Sequence, residues 1–389
     1  MKYDFDEIVN RRGTNSVKWD EAKEEGVIPM WVADMDFKAA PCILEALKKR
    51  VDHGVFGYTI VPDSYYESIT SWFERRHQWH IERDWIIYTS GVVPAISAII
   101  KALTEPGDKV LVQTPVYNCF FSSIRNNGCT IAENALVRKG NSYEIDFDDF
   151  ERRAADEKTK VFLLCNPHNP AGRVWTPEEL SRMNDICLRH SVKVIADEIH
   201  CELVMPGHEF TPFAAVSKAC QDNCITTNSP TKSFNIAGLQ IANIITSNAE
   251  DRRKIDRAIN INEVCDVNPF GVIALQAAYN EGEDWIDQLN VYLWENYQAL
   301  KTFFKDNLPQ LEVIDLEGTY LVWVNVRATG MIGNELTDKL LKEGKVFVNR
   351  GTMYGKTTGA DYIRINIAMP RSLMLEGLKR MKDVIDKNI

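Results

Sequence analysis

The chain has 389 residues, with 45 Lys or Arg against 55 Asp or Glu, so its formal net charge at neutral pH is -10. This length can bury a core large enough for two or three domains. The negative charge argues against nucleic acid or an anionic membrane as the main partner, because both attract basic surfaces. No apolar run reaches the roughly 20 residues that a membrane span needs.

The cellular environment is predicted from the N-terminus and the cysteines. The first residues are acidic and lack the apolar core of a secretory signal peptide. The nine cysteines are scattered and include no CxxC pair. This pattern favours reduced thiols over a disulfide framework or a zinc site. We therefore expect a cytoplasmic protein with no metal site.

Short apolar runs alternate with helical patterns between about residue 85 and residue 250. Runs that are apolar throughout are typical of parallel strands covered on both faces. Between them, Thr176, Pro177 and Glu179 have the spacing of a capping box and predict the start of a helix. The alternation predicts an α/β fold with a mostly parallel central sheet flanked by helices. The predicted strands are 85–89, 109–113, 160–165, 192–196, 224–228 and 239–246.

The last third of the chain has a different pattern, which predicts a smaller α+β domain. A long helix is expected over 283–307, then strands at 319–326, 346–349 and 362–368, and a final helix over 373–386. We expect residues 1–40 to be an N-terminal segment that joins this small domain. Residues 41–280 then form the large domain and residues 281–389 the small one.

Polar residues follow the predicted strands of the large domain, where ligands of parallel α/β sheets bind. After the first strand, Ser90, Gly91 and Val92 lead into a helix over 94–103, whose N-terminal N–H groups can face an anion. A plain strand-to-helix turn is the alternative reading. After the second strand, Tyr117 can stack on an aromatic ligand, although a core tyrosine is the commoner explanation.

Asn169 and Asp197 follow the next two predicted strands. Asn169 lies in a loop with two Asn-Pro units and a Gly, which fixes a rigid non-helical conformation, and its amide can donate to a phenolate oxygen. The alternative is an ordinary turn. A carboxylate at the mouth of a buried strand is costly unless it is paired, so Asp197 suits a protonated pyridine nitrogen. A surface Asp is the alternative.

A lysine follows the fifth strand, and an arginine lies in a strand near the C-terminus. Lys232, close to the hydroxyls of Ser229 and Thr231, can form an imine with an aldehyde cofactor if burial or charge lowers its pKa. Most lysines are instead solvated surface charges. Arg364 can hold a substrate carboxylate with two parallel hydrogen bonds, or it can face solvent.

The order of these groups along the chain resembles that of the fold-type I pyridoxal-phosphate (PLP) enzymes of the class I/II aminotransferase superfamily. The resemblance extends over nearly the whole chain. A narrower resemblance, to the MalY/PatB cystathionine β-lyase branch, rests on His200 and on four segments. His200 is informative because the commoner aminotransferases have Tyr there; a packing His beside Cys201 is the alternative. The segments are 30–37, 90–95, 166–170 and 197–200.

The resemblance implies a role for each candidate residue. Lys232 holds the PLP cofactor, Asp197 pairs with its ring nitrogen, Asn169 bonds its ring hydroxyl, and Tyr117 stacks on its ring. His200 belongs to the same cofactor site, and Asn169 and Arg364 bind the substrate, with Arg364 on the α-carboxylate. The phosphate group is surrounded by Ser90, Gly91, Val92, Ser229 and Thr231.

The resemblance also implies a homodimer with shared active sites, because Tyr58 resembles the tyrosine that reaches the phosphate of the neighbouring subunit. One position departs from the family pattern. An arginine that contacts the phosphate commonly stands eight residues after the lysine, and here that position is Gln240. How tightly the protein binds the phosphate group is therefore in question.

The implied activity is a PLP-dependent C–S β-lyase that cleaves L-cystathionine or related S-substituted cysteines to pyruvate, ammonia and a thiol. A class I/II aminotransferase remains the main alternative, since the same residues serve both reactions. A regulatory binding protein that retains the PLP fold is a second alternative. The intact set Lys232, Asn169, Asp197 and Arg364 argues against a purely non-catalytic role.

Overall fold

The computed structural model describes residues 3–263 and 266–388. Within these residues the strands form one large sheet, one smaller sheet and two two-stranded ribbons. In chain order they are β1 (Ile28–Pro29), β2 (Ile86–Thr89), β3 (Lys109–Thr114), β4 (Thr130–Ala135), β5 (Val137–Lys139), β6 (Ser142–Glu144), β7 (Thr159–Cys165), β8 (Lys193–Asp197), β9 (Cys224–Asn228), β10 (Ala242–Ile245), β11 (Glu312–Val313), β12 (Leu321–Asn325), β13 (Val346–Phe347), β14 (Asn349–Arg350) and β15 (Tyr362–Asn366).

The large sheet has seven strands in the order β2-β10-β9-β8-β7-β3-β4. Five of its strands run parallel to one another from β9 to β4, and β10 is antiparallel to both of its neighbours. Strands β8, β9 and β10 are buried almost throughout, as a sheet with helices on both faces requires. The predicted α/β fold with a mostly parallel central sheet is confirmed.

The structure corrects the predicted strands at several places, and the short strands β1, β5, β6 and β11 were not predicted. The run predicted over 239–246 is a strand only from Ala242, because Leu239 lies in a short 3-10 turn and Gln240 has a left-handed backbone. Strand β4 was not predicted. Its exposed residues alternate with buried ones at the edge of the sheet, so it lacks the continuous apolar run of the central strands.

The helices surround the large sheet and cover the smaller one. The predicted capping box is present: the Thr176 hydroxyl accepts from the Glu179 N–H and the Glu179 carboxylate accepts from the Thr176 N–H. In chain order the helices are α1 (Val17–Asp20), α2 (Pro41–His53), α3 (Asp63–His77), α4 (Val92–Leu103), α5 (Asn118–Asn126), α6 (Phe147–Ala154), α7 (Pro177–Arg189), α8 (Lys218–Asn223), α9 (Ala249–Asn260), α10 (Pro269–Glu281), α11 (Glu283–Asn307), α12 (Gly333–Gly344) and α13 (Arg371–Asn388).

The smaller sheet lies in the C-terminal third and is antiparallel, in the order β11-β12-β15-β14. The predicted helices over 283–307 and 373–386 correspond to α11 and α13, and the predicted strand at 346–349 is split into β13 and β14. The N-terminal segment contributes β1, which pairs in parallel with β13. The division of the chain at residues 40 and 280 stays a prediction.

Two further sequence features can be compared with the described residues. Eight of the nine cysteines lie among them, and all eight are free thiols; Cys265 lies outside the described residues. Within residues 3–263 and 266–388, no helix is both long enough and apolar enough to cross a membrane.

Candidate active site

A cavity of about 320 Å³ opens at the carboxyl ends of the parallel strands. Nine of the residues predicted from sequence line it. One group comes from the turn after β2 and the loop after β9: Ser90, Gly91, Val92 and Thr231. The other group follows strands β3, β7, β8 and β9: Tyr117, Asn169, Asp197, His200 and Lys232. The parallel sheet therefore gathers side chains that are up to 142 positions apart in the sequence (from Ser90 to Lys232).

The first group forms a site suited to an anion. Helix α4 begins after Gly91 and has no side-chain cap. Among the described residues, nothing accepts a hydrogen bond from the N–H of Val92 or Val93, both of which line the cavity. Unsatisfied N–H groups at a helix N-terminus attract negative charge through their own dipoles and the helix dipole. The turn after β2 therefore offers free N–H donors to the cavity, and its role in binding an anion stays a prediction.

Ser229 lies behind this site and does not line the cavity. Its hydroxyl donates to the Ile241 carbonyl at 2.5 Å and accepts from the Thr231 N–H at 3.1 Å. The hydroxyl oxygens of Ser229 and Thr231 are 2.8 Å apart. Ser229 therefore fixes the turn that presents the Thr231 hydroxyl to the cavity.

Lys232 is held by a main-chain oxygen from the N-terminal segment. Its Nζ atom donates to the Ala33 carbonyl at 2.6 Å. Burial lowers the pKa of Lys232, while the charge of Asp34 acts in the opposite direction. A lysine with a lowered pKa has a larger neutral fraction near neutral pH, and the neutral amine is the form that attacks a carbonyl or removes a proton.

Asp197 ends β8 and is only 3% exposed. One of its oxygens accepts from the Ile199 N–H at 3.2 Å. Burial raises the pKa of Asp197 to about 7, because no cation of the described chain pairs directly with its carboxylate. A positively charged group in the cavity would stabilise the ionised form of Asp197.

His200 lines the same cavity, so packing beside Cys201 does not fully account for it. Burial lowers the pKa of His200 to about 3, and nearby Lys232 and Arg364 act in the same direction. The imidazole is therefore neutral at physiological pH. Its ring lies edge-on to the ring of Tyr320, with 6.0 Å between the ring centres.

Arg364 points into the protein and is only 3% exposed, which excludes the solvent-facing alternative; its binding of a substrate carboxylate stays a prediction. The guanidinium donates to the Asn169 side-chain oxygen at 3.1 Å and to the Trp31 carbonyl at 2.8 Å. It also lies 4.7 Å from the centre of the Tyr354 ring. Its Nε atom is buried with no partner in the described part of the chain. A buried donor of this kind is costly unless a ligand or a water accepts from it.

Three other predicted positions have different surroundings. Tyr117 is half-buried, and burial raises its pKa well above the ordinary value, so its phenol stays neutral. Gln240 lines the cavity, with a left-handed backbone φ of 52°. Tyr58 is 98% exposed and does not line the cavity of its own chain.

Sequence reasoning missed the main-chain contact of Lys232 and the tyrosine that donates to the same carbonyl oxygen. Ala33 supplies the carbonyl that accepts from Lys232, and the hydroxyl of buried Tyr320 donates to the same oxygen at 3.1 Å. Segment 30–37 was recognised as a family hallmark, but no role was given to it. Because the contact with Lys232 is made by a main-chain oxygen, no residue type in the segment signals it.

The donors and acceptors of the cavity fit PLP. Unsatisfied helix N–H groups and the Thr231 hydroxyl suit its phosphate group. Asp197 suits the ring nitrogen, and the Asn169 side chain suits the ring hydroxyl. Lys232 is an amine with a lowered pKa at the same cavity, as attachment to an aldehyde requires.

Comparison with known proteins gives matches along nearly the whole chain. Residues 25–381 match the family described as aminotransferase class I and II. Cystathionine beta-lyase PatB of Bacillus subtilis (strain 168) is 41% identical over 382 residues, covering 97% of this chain and 98% of PatB.

Two solved structures also match this chain over nearly its whole length. Cystalysin from Treponema denticola, which contains a pyridoxal 5'-phosphate cofactor, is 36% identical, with a TM-score of 0.97 and complete coverage of both chains. A PLP-bound protein from Clostridium difficile 630, described as a candidate aminotransferase, is 43% identical. Its TM-score is 0.96, and the match covers 99% of this chain and 100% of that chain.

Proposed function

This chain belongs to the class I and II aminotransferase family, and on that basis we propose that it is a PLP-dependent carbon–sulfur β-lyase. Its substrate is L-cystathionine or a related S-substituted cysteine, which it converts with water to pyruvate, ammonia and a thiol. The resemblance to cystathionine beta-lyase PatB and to cystalysin over whole chains supports the lyase reaction.

One observation of the cavity supports the PLP-dependent chemistry, and the resemblance to lyases over whole chains supports the choice of reaction. A lysine amine, a buried carboxylate and an amide meet there, with an anion site at the helix N-terminus and a buried arginine at Asn169. When bound, PLP acts as an electron sink for a bond broken at the substrate α-carbon. The residues of the chain then have to bind the substrate, orient it and move its protons.

Binding of the substrate α-carboxylate is assigned to Arg364. The guanidinium is buried, it is oriented by the Asn169 oxygen and the Trp31 carbonyl, and its Nε–H lacks a partner among the described residues. A planar guanidinium binds a carboxylate through two parallel hydrogen bonds, which fixes direction as well as position. The Cα–H bond of the substrate is thereby held in a constant orientation.

Proton transfer is assigned to Lys232. Once displaced by the substrate amine, its neutral Nζ removes the α-proton as a general base. The protonated Nζ then donates this proton to the sulfur that leaves the β-carbon. The Tyr117 phenol, which its raised pKa keeps protonated, is the second candidate donor to sulfur.

An aminotransferase on the same scaffold remains the second candidate, because the described cavity residues serve either reaction and one similar structure is described as a candidate aminotransferase. The purified protein, supplied with PLP and L-cystathionine but no keto acid, separates the two. Equal amounts of pyruvate and thiol, absent in Lys232→Ala, are expected for the lyase. Turnover that requires both an amino donor and a keto acid would replace the lyase by the aminotransferase.

The shared-site homodimer is part of the proposal. Tyr58 is 98% exposed, and Val55, Phe56 and Ile60 beside it are also exposed apolar side chains. A cluster of this kind on a loop favours burial against a second copy, where the Tyr58 hydroxyl reaches the partner's phosphate site. Light scattering of the purified protein should give twice the chain mass.

We also assign the protein to the cytoplasm, which its free buried cysteines support.

A further inference from the structure

Residues 31–36 form an irregular segment, here called the strap, whose main chain is held by side chains from distant parts of the protein. Each carbonyl from Trp31 to Met35 accepts a hydrogen bond from such a side chain. Asn235, Asn349 and Asn366 are among the donors. Because so many donors have to be in place at once, the strap has a single defined position beside Lys232.

The middle of the strap touches the lysine directly. The Ala33 carbonyl accepts from the Lys232 Nζ at 2.6 Å. The next residue, Asp34, carries a carboxylate that is 23% exposed. Arg11 binds both oxygens of this carboxylate, at 3.2 Å and 2.8 Å. The two hydrogen bonds fix the Asp34 charge next to the carbonyl that holds the lysine.

Asp34 is one of four charged side chains that form ion pairs with one another. Arg11 also binds Asp36, at 2.7 Å, and the fully buried Lys18 binds the other oxygen of Asp36 at 2.8 Å. Lys18 lies 3.8 Å from Asp34. The two cations and two anions cancel overall. Each buried partner therefore depends on the others, since removing one leaves an unpaired charge.

We propose that Asp34 is a positioning residue for Lys232: its carboxylate, fixed by Arg11 beside the Ala33 carbonyl, holds the lysine amine in its charged form and in a fixed place. This inference rests on the proposed function, because it concerns the same lysine. The charged amine is retained at the strap while no cofactor or substrate carbon occupies it. Loss of a proton to water then gives the neutral amine, which is available for reaction.

The electrostatic surroundings of Lys232 support this assignment. Burial lowers the pKa of Lys232, and Asp34 is the foremost of the charges that raise it. Cys119 and Asp197 raise the pKa as well, and Arg364 lowers it. Neutral His200 and Tyr320 complete the surroundings of the lysine and the Ala33 carbonyl. Asp34 is thus the group whose charge most opposes the effect of burial.

The test measures the protonation of Lys232 without using catalysis. The full chain, stripped of cofactor, is reductively methylated over a series of pH values, and mass spectrometry follows the Lys232 peptide. Asp34→Asn should lower the pH at which labelling reaches half its maximum and should speed labelling at pH 8 by about threefold, because a nearby negative charge is lost. Arg11→Gln should raise that pH, since it leaves the Asp34 charge less compensated.

Asp36→Asn is the matched control, because it removes the same charge from the same group of four but further along the strap. Its shift should be less than half that of Asp34→Asn. In the cofactor-bound protein without substrate, the pH dependence of the cofactor absorbance should shift in the same direction in each variant.

Equal shifts in Asp34→Asn and Asp36→Asn, or no shift in Asp34→Asn, would overturn the proposal. If Asp34→Asn does not fold, an unchanged or lowered midpoint in Arg11→Gln overturns it. The labelling result does not depend on whether the enzyme is a lyase, so failure of the proposed function would be recognised separately by the products formed from L-cystathionine.

Discussion

Asp197 allows a prediction in which stability and cofactor binding change in opposite directions. Burial raises the pKa of its carboxyl from the ordinary 3.8 to about 7. The folded chain therefore holds this proton more tightly than the unfolded chain does. Stability contributed by the protonated form is lost as the pH rises from about 4 to about 7.

The magnitude follows from the two pKa values. One pKa unit corresponds to about 1.4 kcal/mol, so the ionised carboxylate costs the cofactor-free fold up to about 4 kcal/mol above pH 7. Asp197→Asn removes this cost, because the amide is neutral and its oxygen can still accept from the Ile199 N–H. The stability gain should grow by about 2–3 kcal/mol between pH 5 and pH 8.

Urea unfolding of the cofactor-free chain at several pH values measures this gain. Binding of PLP should change in the other direction, weakening by at least about tenfold, because an amide cannot pair with a protonated ring nitrogen as a carboxylate does. Glu198→Gln is the matched control. Burial raises the pKa of Glu198 to about 8, but its side chain does not line the cavity.

The control should therefore gain stability at alkaline pH without losing affinity for the cofactor. If the Asp197→Asn chain is no more stable than the parent at pH 8 and has the same pH dependence, the argument from burial is refuted. Unchanged PLP affinity in Asp197→Asn would refute the assignment of Asp197 to the ring nitrogen.

Three further outcomes are expected. Arg364→Lys should lower kcat/KM by about 100-fold, mainly through KM, because lysine cannot make two parallel hydrogen bonds; equal kinetics in steady-state assays would remove Arg364 from the carboxylate site. Tyr58→Ala should weaken PLP binding in the dimer, because the proposed contact of its hydroxyl with the partner's phosphate site is lost; unaltered binding by fluorescence titration would contradict the shared site. Gln240→Arg should lower the Kd for PLP by about tenfold, because it adds a cation at the cavity; unaltered or weaker binding in the same titration would show that this position does not face the phosphate.

The core of the fold was predictable because its signals are local. A buried parallel strand is a short apolar run, and the strands ending in Cys165, Asp197 and Asn228 were all located within one or two residues. The capping residues Thr176 and Glu179 act within a single helical turn, so the start of α7 was also predictable.

Elements whose hydrophobic pattern depends on their neighbours in the fold were harder to predict from the sequence. Strand β4 lies at the sheet edge and alternates between exposed and buried residues, which resembles a surface loop in the sequence. The segment before Ala242 is apolar like a strand, but Gln240 adopts a left-handed backbone that ends the extended conformation. Neither outcome follows from residue type alone.

The sequence by itself determined the α/β class, the chain order of the chemical groups and the residues that end the parallel strands, because these follow from hydrophobic pattern and strand polarity. The tertiary structure decided which residues that are distant in sequence are in contact. Arg364 faces inward because β15 is buried throughout. The Ala33 carbonyl meets Lys232 across 199 positions of sequence. The charge on a buried group depends on such distant neighbours, and no local pattern encodes them.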